Sequence, residues 1–190
     1  MTKHHAPAAM DRRAFLATGA GLTLSLVLPR DAQAQPAGFE PNVWLSIAPD
    51  ETVTIMSPAA EMGQGTLTAL PVIIAEELDA DWSKVKIVAS PLDAKKYGNP
   101  YYGGALAYSA SMTVVGYYTP LRIAGAQARR VLMEAAAKEL AVPLAELETE
   151  PGVVVHRASG RRLTYGRIAT FAKAPEKLPE ISEKYLKPFA

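Results

Sequence analysis

Residues 61–88 read EMGQGTLTALPVIIAEELDADWSKVKIV and contain a glycine-rich loop, a helix pattern and a strand pattern. From Thr66 to Asp79 the apolar residues recur at the spacing of one helix face, at Leu67, Leu70, Ile73, Ile74 and Leu78. Pro71 lies inside this segment, so the helix either begins after it or bends there. Val85, Ile87 and Ala89 then occupy alternate positions, which predicts a strand.

The residues before this stretch predict a β-hairpin. Asn42 to Ile47 alternates apolar with other residues and is interpreted as one strand. Pro49, Asp50 and Glu51 are typical turn residues. Thr52 to Ser57 alternates again, which predicts the second strand of the hairpin.

The residues after it predict a long loop and then the longest helix. Pro91 to Ala110 contains four tyrosines and several glycines, and it predicts an ordered loop that packs its own aromatic rings. A loop of this length is more often functional than idle. Thr113 to Leu140 has one apolar helical face. Pro120 predicts that the regular helix begins there, where a missing N–H costs nothing.

The remaining residues complete an α+β pattern. Val153–His156 and Arg162–Thr164 predict two short strands, and Tyr165–Ala174 predicts a short helix. Residues 175–190 are polar, contain three prolines and are interpreted as a linker. The order of elements predicts an α+β fold, with a mixed or antiparallel sheet and long helices on one face.

The first 34 residues predict an export signal rather than part of the fold. Arg12 and Arg13 precede an apolar stretch from Ala14 to Leu28, and Ala32-Gln33-Ala34 offers small residues for cleavage. The apolar stretch is shorter than the roughly 20 residues of a membrane-spanning helix. We therefore expect a twin-arginine signal at 1–34, a linker at 35–41, a domain at 42–174 and periplasmic localisation. An uncleaved membrane anchor is the alternative.

Composition excludes several kinds of function. Beyond residue 34 the chain has 16 Lys and Arg residues against 17 Asp and Glu residues, a formal charge of −1. This balance argues against nucleic acid as a partner. The chain has no cysteine, which excludes disulfides, cysteine-ligated zinc and iron–sulfur clusters within it. The sequence also offers no metal-ligand spacing and no serine–histidine–acid arrangement, and His156 is interpreted as structural or exposed.

Residues 61–65, here called the GQG loop, are the most informative candidate site. Gly63 and Gly65 allow the backbone to turn tightly and to approach a ligand closely. The start of the following helix is expected to offer free N–H groups to a phosphate or an oxo group. Gln64 carries a donor and an acceptor, which complement the edge of a pterin or a purine. A plain strand-to-helix turn is the alternative.

Residues 61–88 resemble the large subunits of the molybdenum hydroxylases, the xanthine dehydrogenase and aldehyde oxidoreductase family. They are most similar to the exported isoquinoline 1-oxidoreductase β-subunit group. The similarity continues through 109–113, 120–129 and 160–166, and thus covers nearly all of the chain after the signal.

The resemblance implies a molybdenum–molybdopterin cofactor, in its cytosine dinucleotide form. In this family the glycine–glutamine–glycine loop and a later small-hydroxyl run hold the cofactor. The implied contacts here are Met62, Gly63, Gln64, Gly65, Ala110, Ser111 and Thr113. The usual glycine- and serine-rich form of the second run is altered to Ser109-Ala110-Ser111. Ser111 or Thr113 as a helix N-cap is the alternative.

The resemblance also implies a reaction, in which an aldehyde or an N-heterocycle is oxidised with oxygen from water. The glutamate base of the family lies far toward the C-terminus of the complete subunit, and we find no counterpart here. Glu61 is more typical of a capping carboxylate. No catalytic residue is therefore assigned, and we expect this chain to be the first cofactor-binding subdomain of a longer subunit, inactive alone. A truncated non-catalytic remnant or a small exported binding domain is the alternative.

The implied partners follow from the same resemblance. Electrons leave molybdenum through iron–sulfur clusters, which in the two-subunit group lie on a separate small [2Fe–2S] subunit. The remainder of the large subunit and a cytochrome c electron acceptor are the other expected partners. The sequence does not indicate the substrate.

Overall fold

The computed structural model describes residues 38–188, which belong to one compact unit beginning at Pro36. The predicted signal lies outside the described residues. The strands are β1 Phe39–Asn42, β2 Leu45–Ile47, β3 Val53–Ser57, β4 Val85–Ala89, β5 Leu147–Glu150, β6 Val153–His156 and β7 Arg161–Thr164. The helices are α1 Thr66–Leu78, α2 Ala94–Tyr97, α3 Thr113–Leu140 and α4 Tyr165–Ala169.

The first sheet has the strand order β1-β2-β3-β4. The first three strands pair antiparallel, whereas β3 and β4 pair parallel with Ile55 opposite Ile87. Parallel neighbours need a crossover connection, and α1 provides it. The buried side of β2 and β3 consists of alternate residues, namely Leu45, Ile47, Val53 and Ile55. The predicted α+β class and mixed sheet are confirmed, and so is the β2–β3 hairpin.

The prediction of a single strand from Asn42 to Ile47 is wrong. The chain turns at Val43 and Trp44, where the side chain of Asn42 accepts a hydrogen bond from the backbone N–H of Trp44 at 2.9 Å. Such a bond is the usual way in which asparagine forms a turn. The expected linker is also too long, since Phe39 is buried within β1.

The second sheet is antiparallel, with the order β5-β6-β7. The predicted strands β6 and β7 are confirmed, and β5 was missed. Its only buried apolar residue is Leu147, and Glu148 and Glu150 add no hydrophobic signal, so the sequence shows no strand pattern there. The short helix α4 ends at Ala169, five residues before the predicted end at Ala174.

Helix α1 begins at Thr66 as predicted and continues through Pro71. Helix α3 spans the whole predicted segment, so the expectation that regular helix starts at Pro120 is wrong. A proline inside a helix removes one hydrogen bond, here the one to the carbonyl of Gly116. None of the helices within residues 38–188 has both the length and the apolar composition needed to cross a bilayer.

Helices α1 and α3 pack side by side and in close contact. A β-carbon at Gly125 would stand 2.5 Å from the carbonyl oxygen of Ile74, so only glycine permits this approach. Further along both helices, Arg129 Nη1 lies 3.6 Å from Asp79 Oδ2. The last turns of α1 and the residue after it thus contact the middle of α3.

Charged residues fix the C-terminal end of α1 against the middle of α3. Glu77 is 1% exposed, and its carboxylate accepts a hydrogen bond from Arg122 Nε at 2.7 Å. The backbone N–H of Lys187 donates to the same carboxylate at 3.2 Å, and the Lys187 ammonium contacts Asp79. Gln127 donates to the carbonyl of Pro179 at 3.1 Å. The stretch interpreted as a linker is thus packed against the domain from Pro179 to Lys187.

Candidate functional site

The carboxyl ends of the parallel strands β3 and β4 form one edge of the first sheet. Both strands end there, and the N–H of Ser90 donates to the carbonyl of Ser57 at 2.9 Å. The GQG loop follows the end of β3, and residues 90–112 follow the end of β4. In open sheets with parallel strands, ligands bind beyond the carboxyl ends of the strands. The topology therefore places the GQG loop at the edge where a ligand site is expected, and residues 109–113 lie at the far end of the connection that leaves the same edge.

The backbone of the GQG loop is open to the outside. All five residues are exposed, and Met62 is 70% exposed. Gly63 and Gly65 have φ angles of 95° and 80°, which disfavour any residue with a β-carbon. Apart from the adjacent residues, no atom lies within 4 Å of the place that a β-carbon of either glycine would take. A flat group can therefore approach this backbone on the side where a β-carbon would stand.

Glu61 closes the loop onto the start of α1. Its carboxylate accepts hydrogen bonds from the backbone N–H groups of Gly63, Gly65 and Leu67, at 2.8, 3.0 and 2.8 Å. These donors, that of Leu67 first, lower the pKa of Glu61 below its ordinary value. Glu61 is thus a capping carboxylate. The expectation that the start of α1 offers its N–H groups to an anionic ligand is wrong at Leu67, because Glu61 already occupies that donor.

The side chain of Gln64 also bonds within the loop. Its amide nitrogen donates to the carbonyl of Ala60 and to the hydroxyl of Thr66, both at 2.7 Å. Its amide oxygen accepts from the backbone N–H of Met62 at 2.6 Å. Both amide hydrogens are engaged, while the oxygen retains a second lone pair. In this conformation Gln64 can meet a ligand as an acceptor.

The second predicted segment, residues 109–113, differs in accessibility from residue to residue. Ala110 and Ser111 are exposed and have φ angles of 50° and 58°. Thr113 is buried, and it is the first residue of α3. The N-cap is Met112, so neither Ser111 nor Thr113 caps this helix. Among the described residues no hydrogen bond joins this segment to the GQG loop.

The tyrosine-rich loop between β4 and α3 is ordered, as predicted. The Tyr97 hydroxyl donates to the carbonyl of Val43 at 2.9 Å, and its ring meets that of Trp44 edge to face. Tyr117, from α3, donates to the carbonyl of Tyr97 at 2.6 Å. Burial raises the pKa of Tyr117. The loop is thereby attached to both the first sheet and α3.

The structure also reveals a serine–histidine–acid set that the sequence analysis missed. The buried His156 contacts Ser159 Oγ through Nδ1 at 2.7 Å and Glu146 Oε2 through Nε2 at 2.9 Å. Ser159 lies in the turn after β6, and Glu146 directly precedes β5. The pairing of Leu147 with His156 brings these residues together, and no spacing in the sequence indicates it. Arg161 Nε donates to Ser159 Oγ at 3.0 Å, so the serine is held within the hairpin.

With the fold and the loop described, comparison with known proteins identifies the family. The family model of the molybdopterin cofactor-binding domain matches residues 4–187. The chain belongs to this family. The resemblance inferred from the GQG loop is confirmed, and molybdopterin is the cofactor class of the family.

The chain is also similar to individual proteins. The chain is 43% identical over 179 residues to isoquinoline 1-oxidoreductase subunit beta of Brevundimonas diminuta, across 90% of this chain and 23% of that protein. It is 35% identical over 193 residues to the membrane-bound aldehyde dehydrogenase (pyrroloquinoline-quinone) of Gluconacetobacter polyoxogenes, across 93% of this chain and 24% of the relative. The chain thus spans less than a quarter of either relative. The crystal structure of quinoline 2-oxidoreductase from Pseudomonas putida 86 aligns with a TM-score of 0.48 and 24% identity, across 66% of this chain and 15% of that one.

Proposed function

We propose that this chain is the cofactor-binding N-terminal region of an exported molybdenum hydroxylase or aldehyde dehydrogenase subunit. The observation that supports it most strongly is the GQG loop, exposed at the carboxyl edge of β3 and β4 in a member of a molybdopterin-binding family. The reaction class rests on two relatives named for oxidising an N-heterocycle and an aldehyde. Both are much longer, so the complete activity is assigned to the longer subunit.

The residues present fit a pterin at this loop. The open backbone of Gly63 and Gly65 accommodates a flat ring, since no atom lies where a β-carbon would stand. Gln64 would accept a hydrogen bond from the ring edge through its remaining lone pair. Met62 would cover the ring with its exposed side chain. When bound, the cofactor would supply the two-electron oxidation of the substrate with water as the oxygen source.

The second segment would bind a different part of the same cofactor. Ala110 and Ser111 are exposed before the first turn of α3, and within the described residues this helix has no side-chain cap. Backbone N–H groups at a helix start suit the oxygens of a diphosphate. We therefore assign the diphosphate of the cofactor to this segment, and the family resemblance implies the cytosine dinucleotide form. Thr113 is buried, so it would contact the cofactor from the interior side of this segment.

The partners and the location complete the proposal. The family resemblance supports a separate [2Fe–2S] subunit as the electron acceptor, and this chain, which has no cysteine, would hold no iron–sulfur cluster itself. The remainder of the large subunit would supply the general base, and a cytochrome c would accept the electrons. The arginine pair before the apolar stretch supports export to the periplasm by the twin-arginine route, with membrane association as a variant.

A non-catalytic binding domain is the second candidate, and the hydrophobic core that the described residues form among themselves favours it. Glu61 lies in the predicted site, but it accepts three backbone hydrogen bonds that lower its pKa. A general base should have a pKa near the operating pH, so Glu61 is poorly suited to that task. A truncated remnant of the longer subunit would fold without the cofactor and would bind a partner instead.

The test compares two glutamines in the full-length protein purified from its native host. Gln64→Ala should lower the molybdenum and pterin content per protein, because the loop loses three hydrogen bonds and an acceptor. Gln127→Ala is the control, since Gln127 lies in the middle of α3 and bonds to Pro179 rather than to either predicted cofactor segment. Equal molybdenum content in both variants would contradict the assignment of the loop. A folded wild-type protein without molybdenum or pterin would favour the second candidate.

A further inference from the structure

We propose that Glu61 is a positioning residue, which fixes the GQG loop in its binding shape before the cofactor arrives. This inference rests on the proposed function, because it concerns the same loop. Glu61 is exposed, and the described residues contain no ion pair with it, so its carboxylate is free to serve the backbone. It bonds to the N–H groups of Gly63, Gly65 and Leu67, which span the turn and the first turn of α1.

These three bonds restrain the residues that most need restraint. Gly63 and Gly65 have no side chain, and glycine loses more conformational freedom on ordering than any other residue. A carboxylate that accepts from both glycines holds their positive φ angles in place. Hydrogen bonds to a charged acceptor are roughly twice as strong as neutral ones. Glu61 therefore restrains the loop more effectively than a neutral side chain of equal length.

The side chain of Gln64 adds further hydrogen bonds within the GQG loop. It engages the N–H of Met62 and the carbonyl of Ala60, while Glu61 engages the N–H groups of 63, 65 and 67. All of these hydrogen bonds join a loop side chain to the local backbone, and Gln64 makes one further bond to the side chain of Thr66. A loop that is ordered beforehand binds more tightly, because less conformational entropy is lost on binding.

The charge of Glu61 also selects which part of the ligand meets the loop. A helix start normally attracts anions. At α1 the carboxylate of Glu61 already lies against the N–H of Leu67, so a phosphate there would meet a like charge. A neutral ring edge meets no such repulsion. Glu61 thus orients the cofactor, with its uncharged ring toward the GQG loop and its anionic end away from it.

The test uses three substitutions at one position and one control, all in the full-length protein. Glu61→Ala removes the acceptor, Glu61→Gln removes the charge, and Glu61→Asp keeps the charge on a shorter side chain. Glu76→Ala is the control, because Glu76 is an exposed glutamate on α1 outside the loop. Amide hydrogen exchange at neutral pH is measured without cofactor, and molybdenum and pterin content is measured on protein from the native host.

In Glu61→Ala, exchange at Gly63, Gly65 and Leu67 should rise about tenfold or more, as expected for the loss of a charged acceptor. Cofactor content should fall, while exchange in β3 and in the middle of α3 stays unchanged. Glu61→Asp should restore more cofactor than Glu61→Gln if the charge is what matters. Glu76→Ala should match the wild type in both measurements.

Several outcomes would overturn the inference. Unchanged exchange at the three amides in Glu61→Ala would mean that Glu61 does not order the loop. Faster exchange with full cofactor content would mean that the order is irrelevant to binding. Equal cofactor content in Glu61→Asp and Glu61→Gln would show that the negative charge of Glu61 does not affect cofactor binding. A wild-type protein that holds no molybdenum or pterin would instead overturn the proposed function, and the exchange data alone would then decide whether Glu61 orders the loop.

Discussion

Two glutamates at opposite ends of α1 differ in almost every physical respect. Glu61 precedes the helix, is exposed and binds backbone N–H groups no more than six residues away. Glu77 lies in the last turn, is 1% exposed and binds Arg122 and Lys187, which are 45 and 110 residues away. The same type of side chain thus orders a local loop at one end of α1 and joins distant segments of the chain at the other end.

The difference shows that site order and domain stability are maintained separately in this protein. Removing one partner of a buried ion pair leaves an uncompensated charge, which is costly. Removing an exposed carboxylate leaves backbone groups that water can satisfy. The domain can therefore keep its fold while the GQG loop changes.

The largest expected effect concerns Glu77. Glu77→Ala should lower the free energy of unfolding by about 3 kcal/mol or more, because Arg122 and Arg129 lose their buried counter-charge. The shift of the urea unfolding midpoint of the full-length protein measures this. Glu76→Ala, an exposed neighbour on the same helix, is the control and should change stability by less than about 0.5 kcal/mol. Equal shifts in the two variants would show that the buried ion pair contributes nothing.

A smaller effect is expected where α1 and α3 touch. Glycine to alanine inside a helix normally stabilises by about 1 kcal/mol. At Gly125 the sign should reverse, since the new β-carbon would lie 2.5 Å from the Ile74 carbonyl oxygen and 2.8 Å from Glu77 Cβ. We expect Gly125→Ala to destabilise by about 1–3 kcal/mol, the usual cost of overpacking. A higher melting temperature in a thermal scan would refute this close approach.

The smallest effect concerns the protonation of Glu61. Its pKa is lowered by backbone donors, so the order it gives the loop is fully present above the ordinary value of 4.5 and is lost as the pH falls through the lowered value. The amide proton resonances of Gly63, Gly65 and Leu67 should therefore titrate together, with a midpoint below 4.5. In Glu61→Gln this titration should disappear. A midpoint at or above 4.5 in the wild type would contradict the hydrogen bonds described here.

Most of the regular elements could be predicted because their signals are local. The alternation in β3 and the helical spacing in α1 depend on neighbouring residues alone, and both predictions are confirmed. Strand β5 escaped prediction because two of its four residues are glutamates that lie at its polar side. The segment near Lys187 was interpreted as a linker, since its contacts with Glu77 and Asp79 depend on residues more than 100 positions away.

The candidate site was predicted in part. The residues of the GQG loop and the family follow from the sequence, and the family is confirmed. The individual cofactor contacts remain predictions. The sequence did not reveal that Gln64 donates both amide hydrogens within and next to the loop. It also did not reveal that Glu61 accepts the hydrogen bond of the Leu67 N–H at the start of α1. Donor and acceptor capacity is a property of a residue type, but its use depends on the conformation of the neighbouring backbone.

The sequence by itself determined the type of most main elements, the glycines of the loop and the family to which the chain belongs. Those properties depend on residue identity and on short-range spacing, which a linear pattern records. The tertiary structure alone decided that β3 and β4 pair parallel, that the GQG loop and residues 109–113 follow strands ending at the same edge, and that Glu77 is buried while Glu61 is exposed. Those properties depend on which distant segments meet, and that is settled only when the chain packs its core.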